Sequence, residues 1–190
     1  MELTLLGIDG AWFATSPVRG DERGFFREWF KSSDAFGETG IDFGVQQANI
    51  SVSHLGIIRG IHYSLAFGGQ GKWVTCVSGS IIDVIVDFRP KSPTYGKHVT
   101  QSLSSGEGRA FFIRAGLGHG FISLENNLAV SHLLSSPYSP QDAYEINPLD
   151  PDLKINWNLE LVGGVEVVLS PKDAAAPSLS EREAQSKLPQ

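Results

Sequence analysis

The chain has 190 residues, 41% hydrophobic and 19% charged, with a formal net charge of −6; that supports one buried core and is too short for two comfortable domains. The acidic balance, with no basic stripe, excludes general phosphate-backbone binding and with it a nucleic-acid partner. The single cysteine, Cys76, excludes an internal disulfide framework and any clustered thiolate metal site.

The opening "MELTLLGIDG" has no basic n-region, and no apolar run approaches the ~20 residues that span a bilayer. A cytoplasmic protein without a membrane partner is the expectation. Next comes the aromatic run "DERGFFREWF", flanked by Arg23 and Glu28. "SSDAFGETG" reads as a short helix capped at its start by Ser33 or Ser32 and ended by Gly37 or Gly40. Short β-branched and aromatic runs follow between Gly, Pro, Ser and Asn punctuation. In "IIRGIHYS", strict alternation sets Arg59 and His62 on opposite faces; both face inward only if the strand bulges, which Gly60 permits. "KWVTCVSGSIIDVIVDF" opens on Lys72, and "RAFFIRAGLGHGFISL" carries a Gly-x-x-His ending at His119. In "LAVSHLLSS", Leu128, Val130, His132 and Leu134 share one face, so an ionisable ring lies on an apolar stripe. After Trp157 the pattern loosens, and the last dozen residues read as mobile. The whole predicts an all-β single domain over 1–190, with a core of about 1–160 and a C-terminal arm and tail over 161–190.

The stretch from Val77 to Phe121 resembles the cupin, or double-stranded β-helix, jelly-roll barrel. Metal-binding cupins supply two histidines one residue apart and a glutamate from their first motif, and another histidine from the second. Here the first motif offers only His62, with Ser64 in the second position. Three or four strong ligands are the usual need of a transition-metal site, so no metal is expected. A metal-dependent cupin oxygenase or isomerase using His62, His119 and His132 stays open as an alternative. Arg23, Glu28, Arg59, His62, Lys72, His119 and His132, gathered in a strand-rich chain, point to an interior polar site rather than scattered solvated edges.

The segments "DERGFFREWF", "QQANIS", "IIRGIHY", "GKWVTCVSGSIIDVIVDFRPKSPTYGKH", "AGLGHGF", "YSP", "DPDLKINW" and "LSPKDAAAP" stand in order over nearly the whole chain. Together they resemble the dTDP-4-dehydrorhamnose 3,5-epimerase family of deoxysugar biosynthesis. The resemblance implies a metal-independent homodimer without cofactor that epimerises a dTDP-4-keto-6-deoxyhexose. A ketone at C4 makes the C3 and C5 protons removable, because the electron pair delocalises onto oxygen as an enolate. The site must then supply a base, an enolate stabiliser and an acid on the opposite face. By the resemblance, His62 is the base, Asp173 orients it, and Lys72 stabilises the enolate. Arg23 and Arg59 would hold the diphosphate. Glu28, Gln47 and Asn49 would contact the nucleotide or sugar, His119 and Lys172 would add ligand contacts, and Tyr138 would face the base.

Some positions depart from the family's pattern. Ala48 replaces an aspartate, Ser64 a glutamine, and Ala143 an expected acid, with Glu145 two residues on. The family's general acid is a tyrosine six residues before Tyr138, and that position is His132. Histidine could replace tyrosine as the acid of a full 3,5-epimerase. Alternatively one protonation is lost and a C3 epimerase remains, or the enolisation serves a related isomerisation or elimination. The C3 reading is preferred, because histidine differs from tyrosine in shape and reach. His132 as a plain core residue stays open, and so does a nucleotide-sugar-binding protein without catalysis; the retained His62, Lys72 and Asp173 speak against binding alone. The pathway is either rhamnose for a cell surface or a modified sugar of antibiotic biosynthesis, and the changed acid points to the second.

Overall fold

A computed structural model describes residues 1–190. The strands are β1 (Glu2–Leu5), β2 (Ala11–Thr15), β3 (Arg19–Asp21), β4 (Gly24–Phe26), β5 (Gln47–Ser53), β6 (Ile58–Ser64), β7 (Lys72–Ser78), β8 (Ser80–Asp87), β9 (His98–Ser104), β10 (Arg109–Ile113), β11 (Leu117–Ser123), β12 (Leu128–Leu134) and β13 (Ala143–Glu145). Three short α-helices, α1 (Ser32–Thr39), α2 (Pro171–Ala174) and α3 (Leu179–Ala184), and a 3-10 turn at Leu159–Val162 complete the chain.

The strands form a six-stranded sheet in the order β1-β2-β10-β7-β12-β5 and a five-stranded sheet in the order β13-β6-β11-β8-β9, with β3 and β4 as a separate hairpin. The architecture is all-β and jelly-roll-like, as expected, although no strand is shared by the two main sheets to close a barrel. Side-chain alternation explains the packing. Val74, Cys76, Phe111, Ile113, Leu128 and Val130 of the larger sheet meet Ile81, Ile85, Leu103, Leu117 and Phe121 of the smaller in one buried cluster. On the larger sheet's outer face, Trp73, Phe112 and Leu133 pack with Ala35 of α1. That helix ends at Gly40, whose φ of 68° is left-handed, while its N-cap is Lys31 without a side-chain cap. The helix therefore begins on the serines and is not capped by them, a correction of the expected start.

The C-terminal arm corrects a second expectation. Ile58, Ile61, Tyr63, Ile82, Val84, Val86 and Ile122 on the outer face of the smaller sheet are buried under Leu153, Trp157, Val162, Leu179 and Leu188. The last dozen residues are thus docked rather than loose. The Ser178 hydroxyl and Glu181 carboxylate form a capping box that starts α3. Asp150 accepts the Leu179 N–H at 2.7 Å, and the Tyr63 hydroxyl donates to the Lys187 carbonyl at 2.6 Å. The sequence pattern loosens here because each apolar residue of the arm drops singly onto a sheet, so no period marks it.

In β6 the expected bulge is present. Arg59 lies opposite Phe121 and His62 opposite His119, so β6 spends one more residue than β11 across that interval. Ile58, Ile61 and Tyr63 consequently face the arm, while Arg59 and His62 both face the other side. Gly60 has φ +126°, and a Cβ there would lie 2.6 Å from Gly120 Cα and 2.8 Å from the His119 carbonyl oxygen. Gly60→Ala should destabilise the fold by on the order of 3 kcal/mol, since it combines backbone strain with overlap against backbone atoms that cannot move aside. Denaturant unfolding of the variant beside the wild type measures this.

Candidate functional site

A cavity of about 580 Å³ is lined from both sheets. The smaller sheet supplies Arg59, His62 and Ser64 from β6, His119 from β11, and Ala143 from β13. Across from them the larger sheet supplies Asn49 and Ser51 from β5, Lys72 from β7, and His132 from β12. Tyr138 and the α2 residues Lys172 and Asp173 complete the wall.

His62 Nε2 lies 2.7 Å from Asp173 Oδ1. Asp173 is delivered by the arm: Pro171 opens α2, and the Ser170 hydroxyl caps it by accepting the Asp173 N–H at 3.0 Å. Burial pushes the Asp173 carboxyl up, but the bond and charge of His62, with Ser170 and the Gly60 backbone, outweigh it and hold the group below its ordinary range. A carboxylate facing Nε2 fixes the tautomer with the proton on that nitrogen and leaves Nδ1 free for a ligand.

Lys72 is buried, and its Nζ donates to the His62 carbonyl at 2.9 Å. Burial drives its ammonium down to about 8, against the opposing pull of Asp83. His119 places Nε2 3.0 Å from both carboxylate oxygens of Asp83, which is fully buried. Burial holds the His119 ring well below its ordinary pKa, and Lys72 and His62 add to the effect.

His132 continues the interior stripe of Leu128 and Val130, paired to Asn49 on one side and Val74 on the other. Its ring stands edge-on to His119 at 5.6 Å between centroids and 6.2 Å from Phe121. Burial, then charge interactions with His119, Lys72, His62 and Arg59, pushes it well below its ordinary value. Burial thus favours the uncharged form of the ring. His132 belongs to the cavity wall, not to the closed core beneath it.

Arg59 is held at the rim by Ser53 Oγ at 2.9 Å and the Val52 carbonyl at 3.0 Å. Gln47 does not line the cavity, but its amide ties Asn49 Oδ1 at 2.9 Å and the Tyr138 N–H at 2.8 Å. Lys172 pairs with Glu145 at 2.7 Å, and that ion pair raises its pKa. Ser64 and Ala143 face each other across β6 and β13, two small side chains in one part of the wall. Ala48, by contrast, is exposed and outside it.

Arg23 and Glu28 lie outside this chain's cavity. Arg23 sits at the tip of the exposed β3–β4 hairpin, ion-paired with Asp21, and Glu28 lines a small depression with Arg19 and Lys31. Sequence reading missed Asp83 and Ser53. The signal for Asp83 was present: alternation in "SIIDVIVDF" sets it between Ile81 and Ile85 on the interior face. No group of three or more His, Cys, Asp or Glu side chains is arranged to hold a metal ion.

The His62–Asp173 contact makes a prediction independent of any ligand. Imidazole 15N NMR of the wild type should show His62 protonated on Nε2 and bare on Nδ1. Asp173→Ala should turn it into a mixture of tautomers, and an unchanged spectrum would remove Asp173 from this role.

Comparison with known proteins agrees with this arrangement. A family model described as dTDP-4-dehydrorhamnose 3,5-epimerase matches residues 6–181. The dTDP-4-dehydrorhamnose 3,5-epimerase of Mycobacterium tuberculosis is 40% identical over 189 residues, covering 100% of this chain and 93% of the relative. A solved rmlC epimerase of Mycobacterium tuberculosis superposes with a TM-score of 0.96 at 39% identity, covering 100% of this chain and 94% of the other. A 3'-monoepimerase from Streptomyces bikiniensis, solved with dTDP-quinovose, superposes with a TM-score of 0.91 at 39% identity, covering 97% and 91%. Match, coverage and site geometry lead to one conclusion: the chain belongs to the dTDP-4-dehydrorhamnose 3,5-epimerase family.

Proposed function

We propose that the chain epimerises a dTDP-4-keto-6-deoxyhexose at C3 alone, with His62 as base, Lys72 as enolate stabiliser and His132 as acid. The observation that carries this reading is that His62 and His132 enter one cavity from opposite sheets. Inversion at carbon needs proton removal from one face and delivery to the other. The relatives' names supply the substrate class. In the proposed step, His62 Nδ1 takes the C3 proton and the C–H electron pair moves into the enolate, with charge on the C4 oxygen. The Lys72 ammonium meets that charge; removing such a preorganised donor typically costs on the order of 100-fold or more in rate. His132, having taken up a proton from solvent, delivers it to the other face of C3, and His62 returns the abstracted proton to solvent. Asp173 holds the imidazolium that forms on His62. Arg59 and Lys172 meet the diphosphate, His119 and Asn49 contact the sugar, and Tyr138 faces the nucleotide base. The reaction uses no metal or cofactor and belongs in the cytoplasm; no helix is long and apolar enough to cross a membrane.

The restriction to one centre is supported by His132 standing where the family has a tyrosine, because an imidazole differs from a phenol in shape and reach. Incubation with the 4-keto-6-deoxyglucose nucleotide in deuterated water should give deuterium and inversion at C3 only. Inversion at both centres would overturn the single-centre reading, and no exchange anywhere would overturn the epimerase reading. His62→Ala should lose exchange, while His132→Ala keeps exchange and loses inversion. Lys72 is charged below about pH 8 and neutral above it, so kcat/KM should fall as pH rises through that value. His132 gains its proton as pH falls, so the ratio of inversion to exchange should rise in that direction.

We also propose that two copies associate. The edge strand β5 exposes Ile50 and Val52, and the β3–β4 hairpin exposes Phe25 and Phe26. Pairing would cover these edges, and it would give Arg23 and Glu28 a neighbouring cavity to enter. Sedimentation at micromolar concentration should give a dimer; a monomer there contradicts this.

A further inference from the structure

Asp83 is a carboxylate on the interior apolar stripe of β8, between Ile81 and Ile85, and no part of it is exposed. Its side chain meets Nε2 of His119 with both oxygens at 3.0 Å, and the Val84 backbone adds a further hydrogen bond. Glu145, by comparison, takes its cations from Lys172 and Arg182 outside the sheets. An acid is costly to bury, and packing does not explain this one, because the stripe around it is aliphatic.

We propose that Asp83 is a positioning residue of the site, fixing His119 with Nδ1 turned to the ligand and serving as the counter-charge that keeps Lys72 cationic. The inference rests on the epimerase reading for its kinetic consequence. With Nε2 donated to Asp83, Nδ1 of His119 is the ring nitrogen that no protein group bonds. Asp83 is the acid whose charge opposes the effect of burial on Lys72. β6 presents His62 and Arg59, β11 presents His119, β12 presents His132, and α2 presents Lys172 and an Asp173 already engaged by His62. Burial alone would neutralise both Lys72 and Asp83, and each opposes that change in the other. An ammonium preserved by a buried carboxylate is available when charge develops on the C4 oxygen, and its orientation costs nothing at that moment.

The test is the pH profile of C3 deuterium exchange in Asp83→Asn, which keeps shape and an acceptor but removes the charge. The alkaline limb should move at least one pH unit lower, a tenfold loss at a fixed pH on the limb, with KM little changed. In a Lys72→Arg background, whose guanidinium does not titrate in this range, adding Asp83→Asn should move no limb. A limb that stays at the wild-type position in Asp83→Asn overturns the counter-charge role. If the wild type shows no exchange at all, the epimerase reading is what fails; 15Nζ NMR titration of Lys72 in the free protein then decides the inference, with a lower midpoint expected in Asp83→Asn. Should that variant not fold, imidazole 15N NMR of wild-type His119 decides: Nε2 protonated supports the proposal, and Nδ1 protonated with Nε2 bare overturns it.

Discussion

Everything at the site depends on the close approach of two backbones at Gly60 and Gly120. A Cβ at Gly120 would lie 2.7 Å from Ile61 Cδ1 and 2.8 Å from the Arg59 carbonyl oxygen, the counterpart of the crowding at Gly60. Only glycine in both strands lets β6 gain a residue against β11 without forcing these two neighbouring strands apart. The extra residue turns Arg59 and His62 to the same side. Without it the histidine would join Ile58 against the arm, and the cavity would lack its proposed base.

The arm then couples stability to the site. Its buried Val162, Leu179 and Leu188 each contribute roughly 1.5–3 kcal/mol by leaving water, and with Leu153 and Trp157 just before it they cover a sheet face that would otherwise be an exposed apolar patch. The same segment carries Asp173 to His62. Docking of the C-terminus and tautomer selection in the cavity are therefore one structural event. The fastening is distributed: Asp150, Tyr63 and Arg182 each bond a different point of the arm or of β13.

Charge is arranged in two depths. Arg59, Lys72, Lys172 and three histidines face the open volume, whereas Asp83 and Asp173 are fully or almost fully buried. A cavity of that kind suits an anionic ligand, and the carboxylates stabilise the cations and orient the rings without presenting negative charge to it. His132 stands under the influence of this field more than of any hydrogen bond. Its lowered pKa follows from burial and from the charge interactions of its neighbours, a property of the assembled site and not of histidine as a residue.

Local pattern determined much of this protein. Alternation marked the strands and the inward row of Leu128, Val130, His132 and Leu134, and Gly60 between Arg59 and His62 announced a bulge because regular pairing could not serve both side chains. The ordered motifs carried the family, and with it the proposed base, its carboxylate and the lysine. Tertiary structure alone decided the rest. The arm's burial was invisible because single apolar residues docking on a sheet leave no period. Arg23 and Glu28 lie outside the cavity because their hairpin projects from the chain that encodes them. Asp83 had the alternation of an interior residue, but its meaning came only when β11 placed His119 beside it. Periodicity reports which face a side chain takes; the partner it meets there depends on strands far away in sequence.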